Sequence, residues 1–478
     1  MATFFVDGTG LVTTASTVAD SIFVQSAALP GSTLMGLDGN DTINLLEGSI
    51  TNASALGINV QLGAGADSIT ISGLSDFSAG NSSIYGGAGS DTIVTTGGSN
   101  FGLIKTQDDA DVLILSGTTN VIVEGKFGKG ADSITIEGST VTNIGLGKGH
   151  DHFSAASLTL GTAATINLGE GRDTIVIADM ATTLSAATLL GDAAGGTNYG
   201  SDSIFIDGLQ SASTVKGQGG NDTITLSGDG GASLFVNGGG QNDVITVSGY
   251  EAASTIGGGS GADTLNILEG LENSAYLNGG DGSDSIALTF SNDHFGLSAN
   301  QIDGGAGADS ISLITVAGND FSGAVLPTLQ YSAFSESNLT ALDAITFSVS
   351  NTTGTVSVGF DYGVDLSAAI VTERSALAIA GIASTFSGNI AAGVVTLSGA
   401  SQVSSVTAVA ATVDTLTLPD GANEVAIFTT TGGQDYLFVQ GGTAGTADDS
   451  IVSLGDLSGG GLALVATNNT AYLTFSGG

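Results

Sequence analysis

The chain has 478 residues, with 76 glycines, three prolines and no cysteine, and 41% of its residues are hydrophobic. That hydrophobic fraction excludes a disordered chain, and abundant glycine without proline is unlike a flexible linker, so we expect a folded protein with many tight turns. The 46 acidic and seven basic residues give a formal charge of −39, which argues against nucleic acid and anionic membranes as partners. The acidity is compatible with a solubilising surface, a high-salt environment or bound divalent cations.

The N-terminal residues Met1 to Gly8 contain no basic stretch and no apolar stretch, so we do not expect a cleavable secretion signal there. No run of about 18 apolar residues occurs, which predicts no transmembrane helix and no membrane insertion. The lack of cysteine excludes disulfide and thiolate chemistry. We assign residues 1–19 as an N-terminal cap.

From residue 20 onwards the chain repeats with a mean period of about 22 residues, which falls in the range of solenoid proteins. Each copy places an aspartate after a glycine-rich turn. An apolar residue follows two positions later and usually another four positions later, as in Asp67-Ser68-Ile69-Thr70-Ile71. This alternation predicts a strand with one buried face. The aligned aspartates are Asp20, Asp41, Asp67, Asp91, Asp111, Asp132, Asp151, Asp173, Asp202, Asp222, Asp243, Asp263, Asp284 and Asp309.

A second short strand precedes each turn, for example at residues 58–62 and 121–123. One coil is therefore a strand, a glycine turn, a second strand and a variable loop. A single coil cannot bury its apolar face, so successive coils must stack and pair equivalent strands. The sequence predicts an all-β fold: a parallel β-solenoid of about fourteen coils over residues 1–316.

Three copies of the turn match Gly-Gly-x-Gly-x-Asp in full, ending at Asp91, Asp284 and Asp309. With its looser copies, the repeat resembles the haemolysin-type or RTX calcium-binding repeat over roughly residues 15–315. The resemblance implies a β-roll with extended coils in which turn carbonyls and aspartates bind about a dozen Ca²⁺ ions between coils. The metal-site residues it implies are Asp41, Asp67, Asp91, Asp132, Asp151, Asp173, Asp202, Asp222, Asp243, Asp263, Asp284, Asp309, Gly63, Gly65, Gly87, Gly89, Gly280, Gly282, Gly305 and Gly307.

Elementary chemistry favours the same interpretation of the turn. Ca²⁺ prefers carboxylate and carbonyl oxygens, and glycines allow the positive φ angles that turn carbonyls inward. Stacked coils would align the aspartates about 4.8 Å apart, where bound cations would offset their repulsion. The plainer alternative is that Asp and Gly simply suit tight turns. RTX motifs recur about every nine residues, whereas this motif comes once per coil, so we expect one calcium row on one edge.

Some turns depart from the pattern, with Gln107 and Asp109 before Asp111, Asn198 before Asp202, Gln218 before Asp222 and Gln241 before Asp243. Six of the seven basic residues also lie within residues 105–216: Lys105, Lys126, Lys129, Lys148, Arg172 and Lys216. Three roles are open for these basic side chains. They take the place of a cation locally, they form ion pairs with an acidic neighbour in an assembly, or they are ordinary solvated residues.

We expect the aspartate register to end at Val316 and residues 317–478 to form a separate β-rich, sandwich-like domain that covers the solenoid end. Residues 345–349 and 355–358 predict an antiparallel hairpin, and further strands are predicted at 395–397, 415–418, 424–429 and 436–440. Residues 433–442 and 447–452 resemble the C-terminal segment of type I secreted RTX proteins, which implies export to the cell exterior. An edge hairpin without an export role is the alternative.

Catalytic motifs are missing from the sequence. His150 and His152 flank Asp151 without a third zinc ligand, and neither His-Glu-x-x-His nor Gly-x-Ser-x-Gly occurs, so we expect no enzyme. The long repeat array resembles bacterial surface-layer and surface-fibril proteins. It implies an extracellular structural protein that self-assembles with calcium into an S-layer, sheath or filament, with surface polysaccharide or lipopolysaccharide as a further partner. The alternatives are a secreted adhesin or polysaccharide-binding protein, and a glycan-modifying enzyme.

Overall fold

The computed structural model describes residues 3–6, 12–14, 17–24, 33–45, 59–72, 83–97, 103–118, 121–123, 127–178, 186–192, 199–208, 212–228, 233–249, 253–268, 274–290, 300–315, 325–331, 337, 341–348, 355–362, 387–391, 394–398, 425–429, 433–440, 449–455, 457, 463–467 and 470–476. These residues are all β or irregular, with no helix among them, and they form the parallel β-solenoid that the repeat predicts. None of them belongs to a helix that would be long and apolar enough to cross a membrane. The contacts divide the chain into two compact units, residues 1–239 and 240–478.

Each unit is built from two sheets. Sheet A contains the strands that follow the repeat aspartates, and sheet B contains the strands that precede the glycine turns. In the first unit, the strands of sheet A are β1 (Thr3–Val6), β3 (Ser21–Val24), β5 (Thr42–Leu45), β7 (Ser68–Ser72), β9 (Thr92–Thr96), β11 (Val112–Ser116), β14 (Ser133–Glu137), β16 (His152–Ala156), β18 (Thr174–Ala178), β20 (Ser203–Asp207) and β22 (Thr223–Ser227).

Sheet B of the first unit alternates with sheet A along the chain. Its strands are β2 (Val12–Thr14), β4 (Thr33–Asp38), β6 (Asn59–Ala64), β8 (Ser83–Ala88), β10 (Leu103–Lys105), β12 (Val121–Val123), β13 (Lys129–Gly130), β15 (Thr140–Gly149), β17 (Thr159–Gly171), β19 (Thr188–Asp192), β21 (Thr214–Gly219) and β23 (Phe235–Gly240). β1 and β2 already pair in parallel with β3 and β4, so residues assigned to the cap follow the coil pattern.

The second unit continues the same alternation. Its sheet A strands are β24 (Val244–Ser248), β26 (Thr264–Leu268), β28 (Ser285–Phe290), β30 (Ser310–Thr315) and β32 (Asp343–Ser348). Its sheet B strands are β25 (Thr255–Ser260), β27 (Tyr276–Asp281), β29 (Gln301–Ala306), β31 (Val325–Gln330) and β33 (Thr355–Asp361).

Equivalent positions of successive coils pair in parallel and in register. Thr42 pairs with Ser68 and Ile43 with Ile69, for example. The register is maintained because every coil alternates buried apolar and outward polar residues, and a one-residue slip would expose the whole buried row. Ile69 and Ile71 are fully buried, as are their equivalents in neighbouring coils. The core is therefore a column of stacked Ile, Leu and Val rows between the two sheets.

The predicted hairpin of residues 345–349 and 355–358 is wrong. Residues 343–348 form β32, which pairs in parallel with β30, whereas residues 355–361 form β33 in the other sheet. Both segments have the alternation of a half-buried strand, and alternation does not distinguish a hairpin from two successive coil strands. Parallel pairing of the coil type also occurs beyond Val316, where β32 pairs with β30 and β33 with β31.

Strands whose pairings are mostly antiparallel follow the last coil: β34 (Ser387–Ala391), β35 (Val394–Ser398), β36 (Val425–Thr429), β37 (Asp435–Val439), β38 (Ser450–Gly455), β39 (Ala463–Thr467) and β40 (Thr470–Ser476). The pairing of β38 with β32 and of β40 with β33 joins these strands to both solenoid sheets and covers the last coil's exposed edges. The strands predicted at 395–397, 424–429 and 436–440 are confirmed, and the one at 415–418 lies outside the described residues.

Candidate metal centre

The repeat aspartates point into the solenoid and are buried. Asp67 has the same strand parity as Ile69 and Ile71, so its side chain lies on the face that they bury. The same holds in each described coil. The repeat aspartates with at most 2% exposure are Asp20, Asp41, Asp67, Asp91, Asp111, Asp132, Asp151, Asp173, Asp202, Asp222, Asp243, Asp263, Asp284 and Asp309, together with Asp343 at the start of β32.

Hydrogen bonds link these side chains into a ladder. The amide N–H of each aspartate donates to Oδ1 of the aspartate in the next coil, at 2.6 to 3.0 Å, as from Asp41 to Asp67 and from Asp67 to Asp91. In the first unit the bonds connect consecutive members from Asp20 to Asp222. In the second unit they connect Asp243 to Asp263, Asp284, Asp309 and Asp343 in turn. We call this set the aspartate ladder.

The second carboxylate oxygen of most rungs has no hydrogen-bond donor. These buried Oδ2 atoms belong to Asp41, Asp67, Asp91, Asp111, Asp132, Asp151, Asp173, Asp202, Asp263 and Asp284. A buried carboxylate oxygen without a partner costs several kcal/mol, since it loses its hydration and gains nothing in exchange. A row of such atoms calls for a cation or a proton beside each one.

A glycine five positions before the aspartate makes room for Oδ2 in several coils. A Cβ atom on Gly279 would lie 2.5 Å from Oδ2 of Asp284 and would also overlap the carbonyl oxygen of Gly304 in the next coil. The same cradle recurs at Gly36, whose added Cβ would lie 2.6 Å from Oδ2 of Asp41. An unpartnered carboxylate oxygen and a backbone carbonyl oxygen therefore converge on the space that a side chain would fill.

The eight turn glycines predicted to contribute carbonyls all have positive φ, between 88° at Gly305 and 150° at Gly307, which confirms the predicted conformation. The turns also stack backbone on backbone: a Cβ on Gly87 would overlap the carbonyl oxygen of Gly63 in the preceding coil. Glycine is needed here both for its φ angle and for the missing Cβ. Besides Gly305 and Gly307, the turn glycines of this set with positive φ are Gly63, Gly65, Gly87, Gly89, Gly280 and Gly282.

The atypical turns keep the backbone conformation of the glycine turns. Gln107 and Asp109 have φ of 84°, Gln218 has 83° and Gln241 has 75°, in the left-handed region that non-glycine residues rarely adopt. Each occupies a glycine position of the motif, and Asn198 lies outside the described residues. The turn conformation is therefore imposed by the stack, and these side chains are accommodated at a conformational cost.

Burial raises the pKa of most ladder carboxyls above 3.8. Desolvation is the main cause, the hydrogen bond from the preceding rung opposes it, and neighbouring aspartates raise the pKa further. The pKa rises to about 8 for Asp132 and Asp202, to about 7 for Asp91 and Asp173, and to about 6 for Asp284. Without a cation, Asp132 and Asp202 therefore favour the protonated carboxyl near neutral pH.

These residues fit Ca²⁺, which takes six to eight oxygens at about 2.3–2.6 Å and accepts both carboxylate and carbonyl donors. No group of three or more acidic, histidine or cysteine side chains that would hold a metal occurs within the described ranges. A cation at the ladder would therefore rely on one carboxylate per coil and on backbone carbonyls. The oxygens that converge at Gly279 are of these two kinds.

Two buried acids in the solenoid coils were missed by the sequence analysis. Asp343 is a further rung: its Oδ1 accepts the Asp309 amide at 2.9 Å, and the Asp-x-Ile spacing before Ile345 was the available signal. Asp192 aligns with Gly169, and its Oδ1 accepts the Gly200 amide at 3.3 Å. Burial raises the Asp192 pKa to about 6, opposed by nearby amides. Nothing in the repeat pattern distinguished it.

The basic residues described by the structure lie outside the ladder. Lys148 is 55% exposed and forms a salt bridge with Glu170 at 2.9 Å, and Lys216 lies 5.4 Å from the Phe235 ring centroid. Lys126 falls outside the described residues. His150 and His152 are exposed on either side of buried Asp151, because alternate strand residues face opposite ways. Zinc binding by this pair has no support in that arrangement.

Comparisons with known proteins found no matching family model, no matching curated protein and no matching solved structure.

Proposed function

We propose that this chain is a calcium-stabilised structural protein of the RTX type. One observation carries the proposal: buried Oδ2 atoms without a donor recur coil after coil, each in the same place relative to its turn. A cation beside each Oδ2 atom would neutralise the carboxylates and bridge neighbouring coils. The described Oδ2 atoms and turn carbonyls would hold the ions, and Ca²⁺ would supply the positive charge that offsets the ladder carboxylates.

Calcium bound in this way would make the solenoid rigid and stable only where calcium is abundant. We propose that the protein is exported, by the type I route suggested by its C-terminal segment, and functions outside a bacterial cell. There it would self-assemble with calcium into an S-layer, sheath or filament and bind surface polysaccharide or lipopolysaccharide. A non-enzymatic role agrees with the observation that the regularly spaced aspartates are rungs of the ladder.

The test is a calcium titration of protein purified in EGTA, followed by isothermal calorimetry, circular dichroism and electron microscopy. We expect about a dozen bound ions, a gain of β-structure or thermal stability on binding, and ordered assemblies only with calcium. Magnesium at the same concentration is the control, since it prefers octahedral sites that retain several waters.

The proposal fails if the EGTA-treated chain is already fully folded and calcium changes neither its stability nor its association. Calcium binding without self-assembly, together with calcium-dependent capture on a glycan array, would instead identify a secreted adhesin. Turnover of a polysaccharide would identify an enzyme.

A further inference from the structure

The outer edge of the glycine turns carries a local charge pattern. In the coils that end at Asp67 and Asp91, the residues one and three positions before the aspartate are exposed, small and uncharged: Ala64, Ala66, Ala88 and Ser90. In the four coils that end at Asp111, Asp132, Asp151 and Asp173, charged residues replace them. This stretch lies entirely within the first unit.

Three consecutive coils contribute a basic patch of Lys129, Lys148, His150 and Arg172. Lys129 pairs with Lys148 in adjacent strands, and Lys148 pairs with Glu170 in the next. All four patch residues are exposed, and Lys129, Lys148 and His150 line an open depression of about 490 Å³ together with Glu170. The patch holds three of the chain's seven Lys and Arg residues.

The patch presents hydrogen-bond donors outward. The backbone N–H of Arg172 donates to Nδ1 of His150 at 3.1 Å, which places the ring proton of a neutral His150 on Nε2. Lysine and arginine side chains carry only donors. Glu170 engages the Lys148 ammonium through both oxygens at 2.9 Å. Carboxylates are the ligands that match such a surface.

An acidic pair lies in the coil immediately before the patch. Asp108 and Asp109 are exposed at the same edge, and Oδ2 of Asp109 accepts the Gly89 amide at 3.1 Å. Lys129 is one coil further along, and no ion pair joins it to Asp108 in the described part of the chain. The edge thus carries negative charge and then positive charge in neighbouring coils.

Adjacent opposite charges make this edge self-complementary. A two-fold axis between the two coils would bring the acidic pair of each copy opposite Lys129 of the other, so each contact would occur twice. Both copies have the same coil spacing, about 4.8 Å, so the charges would match without deformation. A neutral edge, as at Ala64 and Ala88, offers no such match.

We propose that a second copy of this chain docks on this edge, antiparallel, with Asp108 and Asp109 of each copy facing Lys129 of the other. This inference rests on the proposed self-assembly and names one of its contacts. The interaction would weaken with added salt, because exposed charges are screened within about 8–10 Å at physiological ionic strength.

Charge reversal tests the pairing. We expect Lys129→Asp and Asp108→Lys each to raise the dissociation constant of the dimer at least about tenfold, measured by analytical ultracentrifugation with calcium. The chain with both changes should regain wild-type association, and so should a mixture of the two single variants. Lys216→Asp, on the outer face of sheet B, is the control with the same charge change, and it should associate normally.

The pairing is overturned if the single reversals associate like wild type, or if the double reversal fails to restore association while its circular dichroism is unchanged. It is also overturned if the reversals abolish binding to an acidic polysaccharide and leave the dimer intact. Association that depends on the charge swap but forms equally in EGTA would contradict the calcium proposal and support this contact. A wild-type chain that stays monomeric with and without calcium would overturn both.

Discussion

The amide of Asp263 donates to Oδ1 of Asp284 at 2.7 Å, while Oδ2 of the same carboxylate faces the Cα of Gly279 and has no donor. One oxygen therefore holds two coils together and the other lacks a partner. This division of roles separates the structural contribution of the aspartate from its capacity to bind a cation.

Asp284→Asn separates the two roles experimentally. The amide side chain keeps an oxygen for the Asp263 N–H and can place its NH₂ group towards the carbonyl oxygen of Gly304. We expect the calcium-free protein to gain about 1–2 kcal/mol in free energy of unfolding, because a buried unpartnered oxygen is removed. Calorimetry should show about one fewer bound calcium ion than in wild type.

Asp281→Asn is the matched control, since Asp281 is exposed in the same turn. It should change neither the free energy of unfolding nor the number of bound calcium ions. Equal calcium stoichiometry in wild type and Asp284→Asn would show that the ladder does not hold the metal.

Gly279→Ala tests the cradle. The added Cβ would lie 2.5 Å from Oδ2 of Asp284, closer than real contacts allow, and would also overlap a backbone oxygen of the next coil. Gly279 does not have positive φ, so the effect is one of space. We expect a loss of about 1–3 kcal/mol in chemical denaturation, together with weaker calcium binding. Gly97→Ala, with no atom within 4 Å of the added Cβ and φ of 68°, should cost only the conformational penalty of about 1 kcal/mol and leave calcium binding unchanged.

Gln107→Gly and Gln241→Gly should stabilise the protein. Both residues have positive φ in positions where other coils have glycine. Relief of the left-handed strain, about 1–2 kcal/mol, is partly offset by the greater flexibility of glycine in the unfolded chain. We expect a net gain of up to about 1 kcal/mol in urea unfolding. Lower stability in both variants would mean that the glutamine side chains make compensating contacts.

Without calcium, stability should fall as pH rises. Burial raises the pKa of Asp132 and Asp202 from 3.8 to about 8, so the folded state retains protons that the unfolded chain releases. Their stabilising effect is fully present below about pH 3.8 and is lost as the pH approaches 8. Thermal unfolding in EGTA between pH 5 and 8.5 should show a falling midpoint.

Saturating calcium should reverse or flatten this trend, because a cation binds the deprotonated ladder and competes with protons. Calcium affinity should accordingly rise with pH over the same interval. A midpoint that rises with pH in EGTA would show that the rungs are charged in the folded protein without any metal.

Local sequence determined the repeat, the strands and the turn backbone. The Asp-x-apolar spacing appears in each copy and the turn glycines in most, and both depend only on side-chain alternation and on which residues tolerate positive φ. The same alternation places Asp67 on the face of Ile69, so the burial of the ladder was also readable from the sequence. The coil strand beginning at Asp343 was missed because its turn lacks the glycine pattern.

Only the tertiary structure decided what each buried aspartate contacts. The partner of Asp67 is the amide of Asp41, 26 residues earlier, and the distance between them depends on how the coils stack. The lengths of the intervening loops do not affect it. The cradle at Gly279 likewise needs a carbonyl from Gly304 in the next coil. The Gly-x-Gly-x-Asp turn thus follows from local conformational preference, whereas the unpartnered oxygen inside it arises from stacking one coil on another.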